Sequence, residues 1–146
     1  MEIPEETHVE IQELCAEGDV FLEMGDFSAA HKNYISALGL VPEPKEQFEA
    51  TTWIMAALGD MYFLAKDYRQ AAQVLSDAMR CTGAIGNPFL HLRLGQVQFE
   101  LGNHARAADE LSRAYMGAGS EIFAKDDEKY FNFLKTKISP PAGGVW

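Results

Sequence analysis

The stretch Leu58-Gly59-Asp60-Met61-Tyr62-Phe63-Leu64-Ala65-Lys66-Asp67-Tyr68-Arg69-Gln70-Ala71-Ala72-Gln73-Val74-Leu75-Ser76-Asp77-Ala78 decides the fold, because its pattern occurs three times. Aligning Gly18, Gly59 and Gly95 brings the rest of each unit into step without internal gaps. The first unit runs Leu14, Gly18, Phe21, a turn at Gly25-Asp26-Phe27, then Ala30, Tyr34, Ala37 and Pro42. The second runs Met55, Leu58, Gly59, Tyr62, a turn at Lys66-Asp67-Tyr68, then Ala71, Leu75 and Ala78. The third runs Leu94, Gly95, Gln98 with Phe99 beside it, a turn at Gly102-Asn103-His104, then Ala107, Leu111 and Ala114. A period of this length marks a helical repeat, in which no unit buries its apolar face alone and each stacks on its neighbour.

This succession, a large residue, Leu-Gly, an aromatic, then Ala, an aromatic or Leu, and Ala, resembles the tetratricopeptide repeat over roughly residues 11 to 120. The resemblance implies an all-α fold, a right-handed superhelix of antiparallel helix pairs. The small residues would let the two helices of a pair approach closely, Gly18 with Ala30, Gly59 with Ala71 and Gly95 with Ala107. Glu17 and His91 stand where the family prefers apolar residues, and Gly83 and Gly119 replace the terminal proline. The glycine spacings of 41 and 36 exceed the family's period of about 34 residues. Part of the excess falls in Pro42-Glu43-Pro44-Lys45, a helix-breaking linker after which a lengthened helix is expected from about Lys45. The rest falls in the loop Thr82 to Asn87, with a helix starting near Pro88.

The expected organisation is one domain over 1–146, with repeats at about 11–44, 52–85 and 88–120. A short turn of helix at Ser120–Phe123 precedes a capping helix at about 126–137, with Asp126 as its N-cap, whose Tyr130, Phe131, Phe133 and Leu134 would cover the third unit. The tail 139–146, rich in Pro and Gly, is non-helical, and its Trp146 is either loose or docked.

Composition removes several classes of function. The chain of 146 residues carries a net charge of −10, against the clustered cations that nucleic acid or an anionic membrane would require. No apolar run approaches the roughly 18 residues of a membrane span. The start is acidic rather than the basic and then apolar pattern of a secretory leader, and Cys15 and Cys81 lie 66 positions apart, so a cytoplasmic location is expected. His8, His31, His91 and His104 form no ligand pair, and Gly83-Ala84-Ile85-Gly86 lacks the lysine of a phosphate loop. No catalytic residue, metal or cofactor is therefore expected, and a carboxylate pair at Glu23 and Asp60 is ordinary for such a surface. The acids are unevenly placed: residues 1–31 hold nine and no Lys or Arg. Glu6, Glu10, Glu13 and Glu17 fall on one helical stripe.

In the family, the first helix of each unit lines a concave face, and carrying that rule over gives candidate partner-binding residues. Asp19 and Glu23 come from the first unit, Trp53, Asp60 and Phe63 from the second, and Phe89, Arg93, Gln96 and Phe99 from the third. Asp19, Glu23 and Asp60 form an acidic entrance, and Trp53, Phe63, Phe89 and Phe99 an aromatic group that equally fits a core. A protein or peptide partner with basic and apolar residues is implied. Family members that clamp a terminal carboxylate use Lys, Asn and Arg at places held here by Cys15, Asp19, Ala57, Phe89 and Arg93, of which only Arg93 would serve. Size, charge and repeat number also resemble the bacterial type III secretion translocator chaperones. The stretches Ala114 to Phe123 and Lys129 to Leu134 look like small repeat proteins that neutralise bacterial toxins, and a self-associating subunit is a further alternative.

Overall fold

The computed structural model describes residues 2–146, and the described residues form seven α-helices and two short 3-10 turns, with no strand. The helices are α1 (Glu5–Glu23), α2 (Phe27–Leu40), α3 (Glu49–Leu64), α4 (Tyr68–Ala78), α5 (Pro88–Glu100), α6 (His104–Ala118) and α7 (Glu128–Lys135). They fall into two compact units, Met1–Ile85 and Gly86–Trp146. In the first, α1 packs on α2, α2 on α3 and α3 on α4; in the second, α5 packs on α6 and α6 on α7.

One turn recurs in all three helix pairs. The amides of Asp26, Asp67 and Asn103 donate to the carbonyls of Phe21, Tyr62 and Gln98, each at 2.9 Å, and those of Gly25, Lys66 and Gly102 donate to Leu22, Phe63 and Phe99, each at 3.0 Å. These paired bonds satisfy the last carbonyls of the first helix and require a left-handed residue at the turn. Gly25 (φ 77°), Lys66 (φ 62°) and Gly102 (φ 83°) fill that place. Asp26 and Asp67 then cap the second helix, accepting from Ala29 N at 3.1 Å and Gln70 N at 3.3 Å. Lys66 alone enters the left-handed region with a side chain, at a cost of about 1–2 kcal/mol. Lys66→Gly is therefore expected to raise stability by about 0.5–1 kcal/mol after glycine's own entropic cost, read as a higher urea midpoint.

The glycines sit at the helix crossings, with partners other than those expected. A Cβ on Gly18 would lie 2.7 Å from Tyr34 Cε1, on Gly59 2.4 Å from Leu75 Cδ2, and on Gly95 2.7 Å from Leu111 Cδ2. Each glycine thus receives the large residue of the second helix rather than its alanine, so a knob fills the hole that the missing side chain leaves. Tyr34, Leu75 and Leu111 are fully buried as a result, as are Ala30, Ala71 and Ala107.

Two expected boundaries shift. The second unit does not open on a helix lengthened from Lys45: Lys45–Gln47 is a 3-10 turn, Phe48 is extended and buried, and α3 begins at Glu49. Lys45 is drawn into another task, its Nζ donating to the carbonyls of Leu38 (3.0 Å) and Val41 at the end of α2. The turn is tied to the end of α4 by Thr82, whose amide and Oγ1 donate to Glu46 O at 3.0 and 3.1 Å. At the other boundary Asp127, not Asp126, caps α7, accepting from Lys129 N at 2.9 Å, which leaves Asp126 facing Arg93. The tail is docked: Tyr115 OH donates to Trp146 O at 2.8 Å, and the indole meets the Tyr115 and Phe131 rings at 5.8 and 5.9 Å.

Candidate functional site

In the first unit the candidate residues stand on α1 and α3. Asp19 is exposed on α1 and accepts a 2.6 Å hydrogen bond from Tyr34 OH, which reaches it across Gly18. Burial, the bond to Asp19 and the charges of Asp19, Cys15 and Asp60 all push the Tyr34 phenol far up, so it stays a donor. Asp60, half-buried on α3, thus bears on the same hydroxyl as Asp19. Seven residues earlier on α3, Trp53 shares its helical face and is 37% exposed, a large value for an indole. Phe63 is half-buried with its ring 5.9 Å from that of Tyr68, and Glu23 is exposed. The first unit therefore presents an open aromatic ring along a helix face that continues into two carboxylates.

Cys15 lies beneath this surface, 8% exposed, its thiol pushed up to about 11 by burial first and by the charge of Asp19 second. A thiol raised in the folded state keeps its proton when the unfolded chain has lost its own. Its contribution is complete below the ordinary thiol value and is lost as pH climbs through about 11. Tyr34 acts in the same direction. Stability is expected to fall over that alkaline window, and less steeply in Cys15→Ser, as measured by urea midpoints across the pH series.

In the second unit the same family rule leads to interior positions. Residues Leu90 to Gln98 of α5 are all buried. Arg93 is 7% exposed; its Nη1 donates to Gln96 Oε1 at 2.7 Å and lies 3.4 Å from Asp126 Oδ1, and its guanidinium stacks over Phe89 at 5.4 Å. Gln96 has no exposed surface. Phe99 packs among Phe133, His104 and Tyr130, at 5.1, 5.5 and 5.5 Å. Glu100 beside it accepts from Tyr130 OH at 3.0 Å and pairs with Lys129 at 2.6 Å. Helix α7 thus occupies the C-terminal part of the α5 face, and of the candidates there only Phe89, 38% exposed, remains open. His91, polar where the family is apolar, is buried between two partners. Its Nδ1 lies 2.7 Å from Glu110 Oε2 and its Nε2 accepts from Gly86 N at 3.0 Å.

A family model described as tetratricopeptide repeat matches residues 15–84, from the middle of α1 through α4 in the first unit. Residues 15–84 carry the tetratricopeptide repeat. Similar solved structures include the first tetratricopeptide domain of Spaghetti (RPAP3) bound to the HSP90 peptide SRMEEVD. It is 15% identical, with 87% of this chain and 91% of that one covered and a TM-score of 0.68. The C-terminal tetratricopeptide-containing domain of a Plasmodium falciparum FK506-binding protein is 18% identical, with 90% and 88% covered and a TM-score of 0.69. The Hsp90 co-chaperone Cns1 from Saccharomyces cerevisiae is 17% identical with a TM-score of 0.68, and here the match covers 91% of this chain but 39% of Cns1. No curated protein matches the chain in sequence. At these identities the tetratricopeptide likeness is one of fold.

Among the described residues no cluster of three or more His, Cys, Asp or Glu is placed to hold a metal ion, and no helix is long and apolar enough to cross a membrane. Both cysteines are buried and unpaired.

Proposed function

We propose that this tetratricopeptide chain is a protein-interaction module without enzymatic activity, and that the face carrying Asp19, Trp53 and Asp60 receives a peptide or protein segment combining basic and apolar residues. The observation that carries the proposal is Trp53, an indole left 37% exposed on the face that continues into Asp60. An open aromatic framed by charge is the usual anchor of a recognition surface, since it removes much apolar area from water with few rotamers to freeze. The acids set the sign of the partner. The peptide in the RPAP3 structure, SRMEEVD, is acidic at its end. Here the places that would clamp such an end carry Cys15, Asp19, Ala57 and Phe89, and Arg93 is already bound by Gln96 and Asp126. The charge of residues 1–31, nine acids without a base, points the same way. A secreted client held before export, or a toxin to be neutralised, fits if its contact surface is basic. The two unpaired thiols suit a reducing compartment such as the cytoplasm.

Display of random peptides against the immobilised chain tests this reading. Sequences with Lys or Arg next to aromatic or aliphatic residues are expected to be enriched. Their affinity is expected to fall about tenfold in Trp53→Ala and in Asp60→Lys, each checked for a native helical spectrum. Enrichment of acidic peptides, or binding unaffected by both substitutions, would remove the proposal.

A further inference from the structure

Helix α1 turns one edge to solvent, and that edge is not uniformly polar. Val9 is 40%, Val20 55% and Met24 73% exposed. Positions 9, 13, 16 and 20 follow the 4-3-4 spacing of a straight seam along a helix, and Met24 prolongs it by one turn. Val9, Ala16, Val20 and Met24 make it apolar, Glu13 interrupts it, and Glu10 and Glu17 flank it on one side with Asp19 on the other. The buried residues of the same helix, Ile11, Cys15 and Gly18, lie on the opposite side.

The glutamates have no internal explanation. None of Glu6, Glu10, Glu13 and Glu17 enters an ion pair among the described residues. Like charges three and four residues apart repel, and the helix dipole favours acids only in the first turn, which Glu10, Glu13 and Glu17 have left behind. A face built only to stay hydrated would have no reason to place Val9, Val20 and Met24 along its centre. A face built to receive a neighbour would, and the acids then determine which neighbour. Another copy of α1 is rejected, since glutamate would meet glutamate at the middle and along the flanks; an anionic lipid surface is rejected for the same reason.

We propose that this edge of α1 docks a helix of another protein, one with an apolar stripe flanked by lysine or arginine. At 19 residues α1 offers about 28 Å of contact, room for a partner helix of similar length. Cations of the partner lie between Glu10, Glu13 and Glu17, and its apolar stripe covers Val9, Ala16 and Val20. The edge shares Asp19 with the Trp53 face but rests on Val9, Val20 and Met24 with Glu10, Glu13 and Glu17, and not on Trp53 or Asp60.

The probe is a synthetic 21-residue helical peptide with leucine along one stripe and lysine on both flanks, paired with a scrambled peptide of equal composition. Fluorescence anisotropy with the full chain is expected to show the amphipathic peptide binding at least about tenfold tighter than the scrambled one, the gap that patterned over unpatterned charge must produce. The double substitution Val20→Ser/Met24→Ser and the triple substitution Glu10→Lys/Glu13→Lys/Glu17→Lys are each expected to cost about tenfold or more. Hydrogen–deuterium exchange of the unsubstituted chain, expected to gain protection over residues 5–24, gives a reading that needs no variant. Equal binding of the scrambled peptide would reduce the edge to a charge effect and overturn the proposal. So would loss of binding in Trp53→Ala with none in the α1 variants, which assigns the peptide to the other face. Absence of binding, or of added protection on α1, overturns it as well.

Discussion

Leu134→Ala is expected to lower the stability of the second unit by about 2–5 kcal/mol, the range for deleting a fully buried leucine side chain. Leu134 has no exposed surface although it belongs to an eight-residue helix, and it joins Leu92, Leu111, Ala114 and Phe123 in one cluster. Helix α7 is too short to persist by itself, so its helicity depends on that contact. Truncation leaves a cavity and also loosens the aromatic layer in which Phe133 and Tyr130 hold Phe99. Hydrogen exchange distinguishes this from a surface effect: protection should fall across α5, α6 and α7 together, well before it falls in residues 5–78. A loss confined to α7, with α5 and α6 unchanged, would show that the final helix is an accessory and not part of the core.

The repeat itself was legible because backbone chemistry forces it to be. A left-handed turn residue, a capping Asp or Asn and a glycine at the crossing each require a particular residue type, so Gly25, Asp26, Gly18 and their counterparts can be read in one dimension. The residues facing those glycines could not be read, since each second helix offers spaced alanines with a large residue between them and only the packing selects Tyr34, Leu75 and Leu111. In the first unit the spacing of seven already puts Trp53 and Asp60 on one helical side. In the second, Arg93 and Gln96 are buried and Phe99 is packed by Phe133, because the family rule places α5 without regard to the helix that packs over it. Asp126 lies 33 residues from Arg93, and no local pattern announces that it will engage the guanidinium. The same holds for Glu110, which makes a buried His91 tolerable from 19 residues away. A signal did exist in Tyr130, Phe131, Phe133 and Leu134. Four large apolar residues in five positions are too many for a single seam, and they implied that α7 would be wrapped into the unit rather than laid along its edge.

Gly95→Ala is expected to cost about 1–3 kcal/mol, whereas Gly39→Ala, an equally small change on α2, is expected to gain about 0.5–1 kcal/mol. Both substitutions replace a glycine by a better helix former, Gly95 inside α5 and Gly39 in the last turn of α2, and they differ in their surroundings. A Cβ at Gly39 meets nothing within 4 Å, so the restricted unfolded chain and the better helix former are felt undiminished. A Cβ at Gly95 meets Leu111 Cδ2 and Cγ at 2.7 Å and, at 3.0 Å, the backbone nitrogen of Leu111. The leucine branch could turn aside, but only into a core where rotamers are already close-packed. The backbone nitrogen cannot turn at all, so α5 and α6 must separate by several tenths of an ångström along the crossing. Thermal or urea unfolding of the two variants reads the difference directly. Should Gly95→Ala prove neutral, the close approach of α5 and α6 is not enforced by this glycine, and the physical reason offered for the thrice-repeated small residue falls with it.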